Sequence, residues 1–290
     1  MTYLSRRQTL SAAALAAAAL TGGLATPALA RRHGPLEQAH AHNDYEHEHP
    51  LFDALSHGFA SVEADIWLVD GQLLVAHDEV DLDPSRTLEA LYLDPLAALV
   101  RRHHGSVYRG SRLSLQLLID LKTAGEPTYL ELAGHLRRYR SMLTEASGGR
   151  VRPGAVTVVI SGDRAARAPM EEEIASGAVS LAFYDGRLAD LGSGAPASFM
   201  PLISDNWASY FTWRGEGAFP AAERELLHDI VGRAHAAGQR VRFWETVDVP
   251  GPARDALWRE LLAAGVDHLN TDDLAGLEAF LRGARPGHGR

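Results

Sequence analysis

No cysteine occurs in this chain, so neither disulfides nor thiol chemistry contributes to its stability or its reaction. No Lys/Arg run is long; pairs such as Arg31–Arg32 and Arg101–Arg102 stand isolated. The formal net charge is −9, and an acidic surface of that kind repels nucleic acid and anionic membrane alike. A membrane-length apolar run is missing as well. The longest such stretch, in "SAAALAAAALTGGLA", is Ala-rich and spans only about fifteen residues, short of a comfortable transmembrane helix. What remains is 46% hydrophobic and 22% charged, the balance of a soluble globular protein that must draw its stability from an apolar core.

That Ala-rich stretch follows a twin arginine, Arg6–Arg7, and "PALA" ends at Ala30 in the small-x-small pattern of a cleavage site. Residues 1–30 therefore read as a twin-arginine-type signal peptide, and residues 31–290 as one domain secreted or delivered to a periplasm. Cleavage would remove two arginines and no acids, moving the net charge from −9 to −11.

Beyond the leader, no linker or repeat divides the chain. Strand-like runs at 36–42, 61–68, 113–122, 155–161, 178–184, 198–204, 239–245 and 266–271 alternate with helical patterns such as "TLEALYLDPLAALVRRHH" and "RDALWRELLAAG". The second of these ends on Gly265, a helix-terminating residue. Strands separated by helices pair in parallel, and eight of them predict a (β/α)8 TIM barrel. An open doubly wound sheet would carry a Gly-rich phosphate turn after its first strand; "AHAHNDYEHEH" is not one.

A barrel builds its active site from side chains at the C-terminal ends of its strands. Those ends read His40 and His42, Glu63 and Asp65, Asp120 and Lys122, Ser161, Tyr184, Ser204 with Asp205 and Asn206, Trp244 with Glu245, and Asn270 with Asp272. In "SVEADIWL" the period-two alternation puts Glu63 and Asp65 on one face and Val62, Ala64 and Ile66 on the other. The apolar set suits the surrounding helices, so the acids face the interior, and "DLK" repeats the arrangement one unit later. Clustered carboxylates in a low-dielectric site cost several kcal/mol per ion unless compensated. One lysine cannot neutralise three acids, but a hard divalent cation, Mg²⁺ or Ca²⁺, can, held by Glu63, Asp65 and Asp120. A hard-cation site leaves imidazoles free, so His42 and His77 become candidates for general acid and base.

Taken together, "AHAHNDY", "GFASVEADIWLVDGQLLVAHDE", "LLIDLKT", "RFWETVD" and "HLNTDDL" resemble the glycerophosphodiester phosphodiesterase superfamily. The closer likeness is to its phosphatidylinositol-specific phospholipase C-like branch. The resemblance implies a metal-dependent phosphoric diester hydrolase acting on a small-molecule or lipid phosphodiester, with transient membrane contact for a lipid. It implies His42 and His77 as the acid–base pair, Glu63, Asp65 and Asp120 as metal ligands, and Lys122, Asn43 and Trp244 as substrate contacts. "HNDY" replaces the "HRG" common in those enzymes, and Asp120 stands where many have Glu. A sphingomyelinase D-like reaction would instead form a cyclic phosphate. Two rivals remain: an amidohydrolase using His40 and His42 as an H-x-H zinc pair, and an exported barrel that binds without turnover. The segment "NWASYFTW", with Trp207, Tyr210, Phe211 and Trp213, reads either as a lid or lipid-contacting loop or as packing under a long loop.

Overall fold

A computed structural model describes residues 34–284. The leader assigned to residues 1–30 lies outside the described residues. All eight expected strands form: β1 (Leu36–Ala41), β2 (Phe59–Val69), β4 (Leu115–Leu121), β7 (Val156–Gly162), β8 (Ala182–Gly186), β9 (Leu202–Asn206), β10 (Arg240–Trp244) and β11 (His268–Thr271). They pair in parallel in the order β1-β2-β4-β7-β8-β9-β10-β11, and β11 returns to β1, which closes the barrel. A short strand β3 (Gln72–Val75) folds back on β2 through Asp70 and Gly71, both at positive φ, as a two-residue hairpin turn requires. A separate hairpin, β5 (Glu145–Ser147) with β6 (Arg150–Arg152), was not foreseen.

Period-two alternation sorts each strand between two surroundings. Val62, Ala64, Leu117, Ile119, Val158, Ile160, Val241 and Phe243 face the helices and join the main core. Leu118, Val159, Phe183 and Leu202 form a second apolar cluster inside the barrel. Only the half built by β4, β7, β8 and β9 is filled this way. The half built by β10, β11, β1 and β2 holds buried polar groups instead: Arg242, His268, Asn270, His40, Ser61 and Glu63.

Two strands form later along the chain than their apolar runs suggest. The start of the fifth run is spent on Ser180, whose backbone pairs with Ala146 at 2.9 Å in both directions. In the sixth, Phe199 stacks on Tyr184 at 5.5 Å between ring centroids, and the Arg164 guanidinium lies over the same tyrosine at 4.3 Å. Tyr184 therefore packs among Phe199 and Arg164 and leaves the predicted polar ring, while the fifth strand instead delivers Arg187 to the mouth. The helix Pro252–Ala264 does end at Gly265, in the left-handed conformation.

The aromatic segment after β9 is packing. Trp207, Phe211 and Trp213 are buried, with Trp207 stacked on Phe211 at 3.9 Å and Trp213 on Phe219 at 4.5 Å. Tyr210 alone of the four is exposed, so a lid or lipid-contacting role for the segment as a whole is excluded. Among the described residues no helix is long and apolar enough to cross a membrane.

Candidate active site

A cleft of about 330 Å³ opens at the C-terminal ends of the barrel strands. It is lined by His42, Asn43, Glu63, Asp65, His77, Asp120, Lys122 and Trp244, together with Ser161, Arg187, Arg242 and Glu245. Every residue given a role in the phosphodiesterase reading is in that set.

Each side chain reaches the cleft for a local reason. The backbone N–H of His42 donates to the Thr271 carbonyl at 3.0 Å, which ties the end of β1 to β11. Asn43 follows in the left-handed conformation that Asn tolerates better than most residues. The parallel register sets Asp65 beside Asp120, and Asp120 beside Ser161, so the two acids are cross-strand neighbours. Lys122 is held one residue past β4 by its N–H to the Ile66 carbonyl, 2.9 Å. His77 arrives by way of the β2–β3 hairpin, where the Trp67 indole N–H grips the Ala76 carbonyl at 3.0 Å.

Electrostatics separate the acids. Glu63 Oε2 lies 2.6 Å from a guanidinium nitrogen of Arg242 and 3.0 Å from His40 Nε2. Burial works against its charge, but Arg242 and His40 outweigh it and hold the carboxyl well below its usual range. Asp65 Oδ2 is 2.8 Å from Lys122 Nζ and 2.6 Å from the Tyr45 hydroxyl. Its pKa is nevertheless pushed up to about 6, by burial first and then by Glu63 and Asp120. Lys122, the chain's only lysine, also reaches Asp120 Oδ1 at 3.2 Å. His42 Nδ1 sits 2.8 Å from Asp272 Oδ1. Burial disfavours the His42 cation, but the Asp272 hydrogen bond and the field of Glu63 prevail, and its pKa lies above the ordinary value.

The donor set fits a hard cation in its chemistry. Asp65 Oδ1 is buried without a hydrogen-bond partner, and the contacts of Glu63 and Asp120 use one oxygen of each. The expected convergence on one ion is only partial, however. Among the described residues no three acidic or histidine side chains stand close enough to grip an ion where they are. Lys122 lies between Asp65 and Asp120, and Arg242 occupies Glu63, so the three carboxylates would have to draw together around a cation.

Arg242 corrects the charge count made from the sequence, which set one lysine against three acids. It lies two residues before Trp244, and that period-two spacing would have placed it on the inward face. Arg187 was missed because its strand runs later than its apolar pattern. Its guanidinium is braced by Asp185 Oδ2 at 2.6 Å and the Ser204 carbonyl at 3.1 Å. The H-x-H zinc reading fails on His40, which is fully buried with Nδ1 at 2.6 Å from Ser61 Oγ and Nε2 engaged by Glu63. Burial, reinforced by Arg242, lowers its pKa to about 3, and neither nitrogen is left for a metal.

Comparison with known proteins agrees with this picture. Residues 30–185 match the model of an AIM6-like phosphodiesterase domain, and residues 240–275 that of the glycerophosphoryl diester phosphodiesterase family. Altered inheritance of mitochondria protein 6 from Eremothecium gossypii is 31% identical over 278 residues, covering 84% of this chain and 69% of that protein. Its homolog from Arthroderma benhamiae is 30% identical over 265 residues, covering 83% and 82%. The crystal structure of a glycerophosphoryl diester phosphodiesterase from Parabacteroides distasonis matches with a TM-score of 0.51 at 13% identity, covering 88% of this chain and 89% of that one. At that identity the likeness is one of fold.

Proposed function

The chain belongs to the AIM6-like phosphodiesterase family, and from that membership and the chemistry of its cleft we propose an exported, divalent-cation-dependent phosphoric diester hydrolase. Its substrate is a small-molecule or lipid phosphodiester. The observation that carries the reading is the gathering of His42, His77, Lys122 and three carboxylates in one cleft.

Charge balance supports the cation. Glu63, Asp65 and Asp120 set three negative charges against the two positive charges of Lys122 and Arg242. Arg187 is already paired with the buried Asp185. An anionic phosphodiester would therefore meet surplus negative charge, to which the cleft-lining Glu245 adds, and a divalent cation offsets it. Glu63, Asp65 and Asp120 would hold Mg²⁺ or Ca²⁺, which when bound supplies charge neutralisation for the phosphoryl oxygens.

The chain's own groups do the rest. Lys122 and the Asn43 amide bind the phosphoryl oxygens, and Trp244 walls the substrate. His77 takes the proton of the attacking water or substrate hydroxyl as the new P–O bond forms. His42, oriented and kept protonated by Asp272, gives its proton to the leaving alkoxide as the old P–O bond breaks. Water as nucleophile yields a monoester; a substrate hydroxyl yields a cyclic phosphate.

A phosphodiester panel run with and without chelator, with products identified by phosphorus NMR, tests the reading. Hydrolysis should vanish with chelator and return with Mg²⁺ or Ca²⁺. His42→Ala and His77→Ala should each lose about 10²–10⁴-fold in turnover while keeping the wild-type circular dichroism. Near-wild-type rates in both variants would refute the assignment. Fractionation of expressing cells, reading precursor and mature protein, checks the exported address.

A further inference from the structure

A continuous run of hydrogen bonds crosses the barrel interior, through its polar half and Gln116 of β4. One guanidinium nitrogen of Arg240 lies 2.7 Å from Gln116 Oε1. Gln116 Nε2 lies 2.9 Å from Ser61 Oγ. Ser61 Oγ lies 2.6 Å from His40 Nδ1, and His40 Nε2 lies 3.0 Å from Glu63 Oε2. His40, Ser61, Gln116 and Glu63 are all buried. Arg240 also lines a cavity of about 230 Å³ shared with Glu37, Gln38 and Ser114, at the opposite end of the strands from the cleft. The run thus connects the two ends of the barrel.

Its direction follows from the chemistry of its two ends, a guanidinium that only donates and a carboxylate that only accepts. Arginine only donates, so Gln116 Oε1 accepts and the other face of that amide donates to Ser61. At the other end the Glu63 carboxylate, already accepting from Arg242, can only accept, so His40 Nε2 carries a proton and donates to it. In a neutral ring that leaves Nδ1 bare, to accept the Ser61 hydroxyl proton. Every donor in the run faces the cleft. A second donor, Arg242, meets the same oxygen of Glu63 at 2.6 Å and is itself fixed on Asn270 Oδ1 at 2.6 and 2.9 Å.

We propose that Arg240, Gln116, Ser61 and His40 form a one-way hydrogen-bonded chain that positions Glu63, so that His40 is a positioning residue and not the acid–base histidine. The chain holds Oε2 from below and turns Oε1 to the cleft. Its function in turnover rests on the phosphodiesterase reading; the proton placement does not.

An apolar filling would serve the fold at least as well. Buried polar networks seldom out-stabilise well-packed hydrophobic residues of the same volume, and the other half of this barrel is packed with Leu118, Val159, Phe183 and Leu202. A polar half aimed at a single carboxylate is the arrangement of a device that orients that carboxylate.

Two measurements test the chain. Long-range ¹H–¹⁵N correlation on the full chain should show His40 as the neutral Nε2–H tautomer at pH 7, with Nδ1 unprotonated. The Nδ1–H tautomer or an imidazolium would overturn the proposal. Ser61→Ala should remove the donor that seats Nδ1 and lower kcat on a generic phosphodiester about tenfold with KM nearly unchanged, whereas Ser61→Thr, which keeps the hydroxyl, should restore kcat. Unaltered kcat in Ser61→Ala would overturn it. A wild-type protein that hydrolyses no phosphodiester yet shows His40 as Nε2–H supports the chain and overturns only the phosphodiesterase reading.

Discussion

His40 lies in β1 and His42 one residue past its end, yet their surroundings make them different chemical objects. His42 meets Asp272 and keeps its proton more tightly than a free imidazole. His40 meets Ser61 and Glu63 in full burial and stays neutral. The motif "HNDY" points to His42 as the acid–base histidine, but Asp272 lies 230 positions away and its contact with His42 was not readable. Asp272→Asn removes the carboxylate that favours the His42 cation, so the pKa of His42 should fall. The alkaline limb of the pH–rate profile should move to lower pH, and kcat at pH 7.5 should drop about tenfold. An unmoved limb would detach Asp272 from the acid role.

At the scale of elements, the acid pair was legible because strand alternation is local: Val62, Ala64 and Ile66 could only be core, which left Glu63 and Asp65 inside. The β2–β3 hairpin that carries His77 was legible from "DG" at the turn. The fifth and sixth strands were less so, because apolar residues of both runs are consumed by contacts outside the barrel. The end of β7 shows how closely strand termini are fitted at the site. Gly162 has φ +79, and a Cβ there would lie 2.4 Å from the Leu121 nitrogen and 2.7 Å from Asp120 Oδ1. A left-handed backbone costs an L-residue about 1–2 kcal/mol by itself, and here the β4–β7 pair would also have to part. Gly162→Ala should destabilise by about 3 kcal/mol in denaturant titration and depress turnover through Asp120. A variant of wild-type stability and activity would show that the strand end yields freely.

At the scale of the whole molecule, stability and site chemistry share the problem of buried carboxylates. Asp44, fully buried behind the first loop, accepts from the Leu51 N–H at 2.6 Å and the Tyr92 hydroxyl at 2.9 Å. Burial nonetheless pushes its pKa up to about 6 from 3.8. Between those values the folded chain binds more protons than the unfolded one, so this group makes stability fall as pH rises from about 4 to about 6. Asp65 acts in the same direction. Asp44→Asn keeps an acceptor for Leu51 and Tyr92 without the charge. The stability difference between variant and wild type should move in favour of the variant by up to about 2 kcal/mol between pH 4 and pH 7, read by urea unfolding across that range. A difference that stays constant with pH would place the titration elsewhere.

By itself the sequence determined the barrel, the strand that carries the acids, and eight of the twelve side chains that line the cleft. Each of these follows from a short-range periodicity or a local motif. Tertiary structure alone decided how those charges are shared. Arg242 reaches Glu63 across 179 positions of chain, Asp272 reaches His42 across 230, and Arg240 reaches Gln116 across 124. Closing the barrel brings first and last strands together, and no local pattern in the chain records which side chains then meet.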